Sequence, residues 1–312
     1  MDKTRKIMVL LSAYNGEKYI EEQIDSIFNQ KDCVIKLVVR DDGSSDNTLQ
    51  ILSFLSTKYD IKIIVGQNIG YVASFFELLS YALANNEGFD FFSLADQDDV
   101  WDDNKLSIAC KAIEKENQTM PLLYGSTSRL VTEDLRFISI TQKEIRPISF
   151  FNTIIQNFIP GHSQVLNKPM LELVGKNIDN SQIYVHDSFI ANCAVLCGKI
   201  IFDNEPHTNY RQHSSNQLGS EKSCFSWFSN RMKRLKRGDG QKYAIQIRYI
   251  CEKLVSFLDD NQKKEMQFFN KSNKNFFTRL HYIFHSKLYR QKRFESFAFK
   301  IHYLFGGYKI KN

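Results

Sequence analysis

Apolar residues in the first hundred positions fall into short runs cut off by polar or glycine-containing turns, and between those runs they recur every three or four positions. Residues 7–11, 35–39, 61–65 and 89–94 are short and rich in Ile, Val, Leu and Phe, which predicts buried β-strands. Residues 17–29 set Ile20, Ile24, Ile27 and Phe28 on one helical face. A second helix carries Ile51, Leu52 and Leu55 behind a cap at Asp46, and residues 71–84 and 104–116 complete the series. Strands and helices alternating at this interval predict an α/β fold with a mostly parallel, doubly wound sheet.

Past residue 120 the alternation loosens. An apolar run at 122–124, a turn at 132–136, Pro160-Gly161-His162 and a helix over 188–196 predict a mixed second half. After about residue 221 aromatic side chains, among them Phe225, Trp227, Phe228, Phe276, Phe277, Tyr282, Phe284 and Tyr289, interleave with lysines and arginines in a region expected to be mainly helical.

Composition adds compartment and charge to this picture. With 312 residues, 43% hydrophobic and 24% charged, the chain is long enough for a large α/β core with an appended unit. Its six cysteines lack C-x-x-C spacing, and Cys193 and Cys197 sit in an apolar run, so free core thiols in a reducing compartment are expected. The first apolar run is too short for a signal peptide, and residues 189–202 are interrupted by Asn192 and Lys199, too polar to span a bilayer. A cytoplasmic protein is expected, with any membrane contact peripheral.

The net charge of +6 is unevenly spread: residues 221–312 hold 21 Lys and Arg against 7 Asp and Glu, and residues 1–220 hold 20 against 28. Two regions with different partners are expected, 1–220 and a basic C-terminal extension, 221–312. Arg231, Lys233, Arg234, Lys236 and Arg237, beside Phe225, Trp227 and Phe228, suit the anionic inner face of the cytoplasmic membrane. A solvated helix face is the alternative.

Each predicted strand is followed at once by a polar cluster: Ser12-Ala13-Tyr14-Asn15, Asp41-Asp42-Gly43-Ser44, Asn68-Ile69-Gly70 and Asp96-Gln97-Asp98-Asp99. Strand C-termini of an open parallel sheet share one edge, where ligands bind, so the four clusters converge on one crevice. Asp96 and Asp98 offer hard oxygen ligands to a divalent metal that also takes phosphate oxygens; an acidic turn leading into the next helix is the alternative. A carboxylate in the second cluster can accept the imide N–H of uracil or thymine, with Tyr14 flat against the base, or it can serve a turn. Tyr210-Arg211-Gln212-His213 suits a diphosphate, with Arg211 as forked donor and His213 as donor or metal ligand. His186-Asp187 opens an apolar helix, where Asp187 is either a general base or a favourable charge at the helix start.

No G-x-G-x-x-G follows the first strand, and the chain contains neither G-x-x-x-x-G-K-[ST] nor G-x-S-x-G. Dinucleotide redox chemistry, P-loop phosphoryl transfer and the common hydrolase elbow lose their signatures.

Taken in order over residues 5–220, Ser12-Ala13-Tyr14-Asn15-Gly16-Glu17, Asp41-Asp42-Gly43-Ser44, Asn68-x-Gly70, Asp96-Gln97-Asp98-Asp99-Val100-Trp101, His186-Asp187 and Tyr210-Arg211-Gln212-His213 resemble the family 2 glycosyltransferases. The likeness is nearest to the bacterial rhamnosyltransferase-like branch that builds O-antigens and capsules. The resemblance implies a GT-A fold, with a nucleotide-binding half over 1–118 and an acceptor-binding half over 119–220, and metal-dependent transfer with inversion. It implies that Tyr14 stacks on the base, Asp42 pairs with its imide and Glu17 steadies the nucleotide. The nucleotide site as a whole comprises Ala13, Tyr14, Asn15, Glu17, Asp42, Asn68, Gly70, Asp96 and Arg211. Asp96, Asp98 and His213 would hold Mg2+ or Mn2+, and Asp187 would be the base. The implied partners are a UDP- or dTDP-sugar and a glycan or lipid-linked acceptor, without nucleic acid.

One departure is Ala73-Ser74-Phe75, where many family members carry Ala-Arg-Asn and so a phosphate-side arginine. The alternatives are a sugar nucleotidyltransferase, which would need a Gly-rich loop where this chain has Ala13-Tyr14-Asn15, and a non-enzymatic binder of membranes or nucleic acids through the basic tail.

Overall fold

A computed structural model describes residues 4–141, 143–213 and 238–310. The basic cluster at 231–237 and its neighbours Phe225, Trp227 and Phe228 lie outside the described residues, as does Cys224. The chain forms two compact units, the first made of residues 1–143, 159–180 and 197–219, the second of 144–158, 181–196 and 220–312.

The first unit is built on a mostly parallel sheet. Strands β1 (Arg5–Ala13), β2 (Cys33–Asp41), β3 (Ile61–Val65) and β4 (Phe91–Ala95) run parallel, with β1 between β2 and β4. Successive side chains of β1 point to opposite faces, yet Ile7 through Leu11 are all buried, because helices cover both sides. Helix α1 (Ile20–Phe28) buries Ile20, Ile24 and Ile27 at four- and three-residue spacing. Helices α2 (Thr48–Leu55), α3 (Tyr71–Ala84) and α4 (Lys105–Glu114) follow their strands, as the periodicity predicted. The N-cap of α2 is Asn47 rather than the expected Asp46, which lies one residue earlier and accepts the Thr48 N–H at 3.0 Å.

The sheet continues beyond β4 with β9 (Val165–Asn167), β6 (Leu122–Ser126) and β10 (Lys199–Asp203). Here β9 runs antiparallel to both its neighbours, and β6 pairs parallel with β10. A second sheet has the order β5 (Val100–Trp101), β11 (Thr208–Arg211), β7 (Arg129–Val131) and β8 (Phe137–Ile140). The turn at 132–136 joins β7 to β8. Helix α6 (Lys168–Val174) follows β9, capped by Asn167, whose side chain accepts the Met170 N–H.

The second unit is helical. It contains α5 (Phe150–Thr153), all but the last residue of α7 (His186–Cys197), then α8 (Asp239–Lys253), α9 (Asp260–Ser272), α10 (Phe276–His285) and α11 (Arg293–Leu304). Helices α9 and α10 each begin with a reciprocal capping box, Asp259 with Gln262 and Asn275 with Thr278. Buried polar groups tie the unit together: Gln246 accepts the N–H groups of Tyr184 and Val185, both at 2.9 Å, and Gln291 accepts that of Arg146 at 2.8 Å. Cys33, Cys110, Cys193, Cys197 and Cys251 are free thiols.

Candidate active site

The ends of β1, β2 and β4 are laced into one rim. The Asp42 N–H donates to the Ala13 carbonyl at 2.8 Å, carrying the β1–β2 pairing into the loops. Gln97 bridges from the acidic loop, accepting the Tyr14 N–H at 2.8 Å and donating to the Tyr14 carbonyl at 3.1 Å. Asn15, at a left-handed φ of 49°, donates its N–H to Ser44 Oγ and accepts the Ser45 N–H. Glu17 accepts from both the backbone and the side-chain N–H of Asn47. Tyr14 is left 47% exposed, enough to present its ring to a planar ligand.

Asp42 is buried and ion-paired with Arg40, and its two oxygens accept the N–H groups of Ile69 and Gly70, each at 2.9 Å. It thereby anchors the Asn68-Ile69-Gly70 turn that opens α3. Gly70 sits at φ 82°, a conformation that favours glycine, and Asn68 Oδ1 also accepts its N–H. Arg40 reaches Glu77 and the Gln67 carbonyl as well. Where the family pattern has an arginine, Ser74 is buried with its Oγ 2.6 Å from Ser12 Oγ.

Past β4 the acidic loop gathers its charges in two sets. His213 Nε2 lies 2.7 Å from Asp98 Oδ2, and the His213 ring stacks on Tyr19 with centroids 5.2 Å apart. His162 Nδ1 lies 3.6 Å from both Asp96 Oδ2 and Asp99 Oδ2, while its Nε2 meets Ser128 Oγ at 2.7 Å. Asp96, Asp99 and His162 offer ligand atoms within 4.8 Å of one another. Asp99 is fully buried, and its Oδ2 has no hydrogen-bond partner among the described residues. Burial pushes the Asp99 carboxyl up to about 8, against the pull of His162. Burial also opposes charge on His162, but the facing Asp99 and Asp96 carboxylates hold its pKa above the ordinary value. Asp98 is raised by burial and by repulsion from Asp96, which His213 opposes. Buried Lys105 donates to the His162 carbonyl at 2.7 Å and lies 3.0 Å from the centre of the Trp101 ring.

Arg211 is buried under this loop. Its backbone N–H reaches Asp99, its Nε donates to the Asp98 carbonyl at 2.9 Å, and its remaining nitrogens engage Glu133 and Glu22. The guanidinium also lies over Tyr19. These contacts make it a brace for the Asp98 backbone.

In the second unit Asp187 lies in the first turn of α7, 7% exposed. Asn157 donates to its Oδ2 at 2.8 Å and the Ser188 N–H to its Oδ1 at 2.7 Å, which fixes the carboxylate orientation. Tyr243 of α8 donates to Ser188 Oγ at 3.1 Å, so the C-terminal helices pack around this helix start.

Sequence reasoning overlooked Arg40, Tyr19, Lys105 and His162 as part of this site. Asp99 closes a recognised acidic run and could have been included. His162 follows a turn signal, Pro160-Gly161, but nothing in the sequence ties it to residues 96–99.

The family described as Glycosyl transferase family 2 matches residues 8–159. A dTDP-rhamnosyl transferase, RfbG of Shigella flexneri, is 30% identical over 270 residues, spanning 81% of this chain and 88% of the relative. An uncharacterized glycosyltransferase of Rickettsia typhi is 25% identical over 238 residues, 72% of each chain. Among solved structures, S. aureus TarS 1–349 in complex with UDP-GlcNAc superposes with a TM-score of 0.58 at 18% identity, over 84% of this chain and 70% of that one. Against the same TarS fragment in complex with UDP, this chain spans 65% of its length. The mannosyltransferase PcManGT from Pyrobaculum calidifontis, in complex with GDP-Man and Mn2+, gives a TM-score of 0.51 at 15% identity, over 96% of this chain and 85% of that one. These likenesses show a shared GT-A fold.

Proposed function

Because the chain belongs to glycosyltransferase family 2, we propose that it transfers a sugar, with rhamnose the first choice, from a dTDP- or UDP-sugar to a hydroxyl of a growing surface polysaccharide or lipid-linked glycan. The observation that carries this reading is the pairing of Asp98 with His213 in a loop that Gln97 ties to Tyr14. Residues 1–118 are assigned to the nucleotide and 119–220 to the acceptor. Of the latter, residues 144–158 and 181–196 share a compact unit with the C-terminal helices.

The donor set fits a divalent cation. Burial and repulsion from Asp96 both disfavour the charge on Asp98, so a cation relieves both effects. Asp96, Asp98 and His213 would hold Mg2+ or Mn2+, which when bound offsets the charge of the nucleoside diphosphate. Asp99 and His162 brace Asp96, and Arg211 braces Asp98. Tyr14 stacks on the base. Asn15, Glu17, Asn68 and Gly70 shape the nucleotide rim, and Asp42, which holds the turn beside it, is assigned to the imide.

Asp187 is the general base in this account. It takes the proton of the acceptor hydroxyl as that oxygen forms a bond to the anomeric carbon, and the bond to the nucleoside diphosphate breaks on the opposite face, inverting the centre. Among the described residues no helix is long and apolar enough to cross a membrane. We place the enzyme at the cytoplasmic membrane surface, held there by its basic C-terminal region, where a lipid-linked acceptor is presented.

Thermal unfolding with dTDP-, UDP- and GDP-sugars, each with and without Mn2+, tests this reading. A bound donor stabilises by mass action, so one of the first two classes should raise Tm in a Mn2+-dependent way. No shift with any donor would refute it.

A further inference from the structure

Half of the large hydrophobic side chains exposed among the described residues lie between positions 255 and 305. They are ordered on two helices. On α10, Phe277 and Phe284 are 79% and 75% exposed at a seven-residue interval. On α11, Phe294, Phe297 and Ile301 recur at three and four positions, and Phe305 caps the stripe at 73% exposure. Such intervals put each set along one side of its helix.

Other sides of the same helices are used in packing. Tyr282 and Tyr303 are buried with ring centroids 4.5 Å apart, the Tyr282 hydroxyl donates to Glu265 at 2.7 Å, and Arg279 donates to the Leu304 carbonyl at 2.7 Å. Each helix therefore packs through one side and carries its exposed apolar row on the other.

Charge identifies the occupant. Residues 271–310 contain nine Lys and Arg but a single acidic residue, Glu295, which is ion-paired with Arg290. Lys274, Lys287, Lys292 and Arg293 are all exposed and lie close in sequence to the phenylalanines. An acidic protein groove would match the charge, but a folded partner would also have to match two separate aromatic rows. A bilayer interface accepts aromatic side chains at any lateral spacing and carries the opposite charge in its anionic headgroups.

We infer that the exposed apolar rows of α10 and α11, through Phe277, Phe284, Phe297 and Phe305 with their flanking lysines and arginines, insert into the interface of an anionic bilayer. This deepens the membrane placement proposed above and rests on it, but assigns the contact to described residues rather than to the cluster at 231–237. Each basic residue held near the surface strengthens attraction about fivefold, and the phenylalanines add an attachment that salt does not screen.

The test is co-sedimentation of the full chain with vesicles of phosphatidylglycerol and phosphatidylcholine, or of phosphatidylcholine alone. Three proteins are compared: wild type, a variant with Phe277→Ser, Phe284→Ser, Phe297→Ser and Phe305→Ser, and a variant with the five basic residues at 231–237 replaced by Gln. All four phenylalanines are exposed, so the first variant should keep its Tm. The wild type should bind the anionic vesicles, and the serine variant should lose roughly tenfold or more in partitioning, including at high salt where the wild type retains some binding. Wild-type binding by the serine variant together with release of the Gln variant would overturn the inference and leave the membrane placement standing. Failure of the wild type to bind either vesicle would overturn both. A wild-type dimer that becomes monomeric in the serine variant, with vesicle binding unchanged, would assign these side chains to a second copy and overturn the inference.

Discussion

Asp42→Asn should destabilise the first unit by about 3 kcal/mol. The Asp42 and Arg40 side chains are both 3% exposed, and removing one partner of a buried ion pair leaves an uncompensated charge at a cost of about 3–5 kcal/mol. The lower end applies because Arg40 keeps Glu77 and the Gln67 carbonyl. Weakening one of the two N–H bonds from Ile69 and Gly70 adds about 1 kcal/mol at most, since the amide oxygen still accepts one of them. Urea unfolding followed through Trp101 fluorescence measures this, in a Trp227→Phe background that leaves Trp101, 4% exposed, as the only reporter. Adding Arg40→Met should recover roughly half of the loss, because the stranded charge is gone. Glu77→Gln should cost under about 1 kcal/mol, since Glu77 is 55% exposed. A cost below about 1 kcal/mol for Asp42→Asn, or strict additivity with Arg40→Met, would refute the buried-pair argument.

Three further outcomes are expected. Asp98→Asn should remove the Mn2+-dependent part of donor stabilisation, which at donor concentrations of about 100 Kd amounts to about 2.7 kcal/mol in wild type; an unchanged Mn2+ effect in Tm measurements would move the metal to other residues. Asp187→Asn should keep donor binding by calorimetry yet lower transfer by about 10²–10⁴, and full activity in the purified variant would send the search to Glu205. In a Cys224→Ser background, native thiols should label slowly at pH 8. Burial raises Cys33 to about 11, which leaves about one thiolate in a thousand, and it raises Cys110 further. Labelling as fast as that of the unfolded chain would contradict their burial.

The parallel half of the sheet was legible because its strands are buried on both faces and read as unbroken apolar runs. Their ends were not. The β1 ladder continues through Ser12 to Ala13, opposite Asp41, since backbone pairing does not require apolar side chains. Strand β9 has three residues, too few to show a period, and it is a strand only because β4 and β6 flank it. The strands of the second sheet are two to four residues long and equally silent in sequence. Nor could sequence show that residues 144–158 and 181–196 pack with the C-terminal helices, because that joining runs through buried amides such as Gln246 and Gln291.

Within the candidate site, residues set by local motifs were readable and those set by tertiary charge pairing were not. Asp98 and His213 each stood in a motif, and the structure brings them together. Arg40, His162 and Lys105 lie in apolar or turn contexts where a charged side chain carries no signal until its buried partner is known. Arg211 was read as a diphosphate donor from its polar loop. Its contacts with Asp98, Glu133 and Glu22 became visible only once β11 was placed beside β5 and β7.

Following the anomeric configuration of the transferred sugar decides whether transfer from a nucleotide-sugar inverts the centre. The purified protein, Mn2+, dTDP-rhamnose and a lipid-linked acceptor fraction from bacterial membranes would be combined, and the product examined by NMR. Equal amounts of released dTDP and newly bound sugar are expected, the new linkage having the configuration opposite to that of the donor. Retained configuration, or transfer that survives unchanged in Asp187→Asn, would contradict inverting transfer with Asp187 as the base.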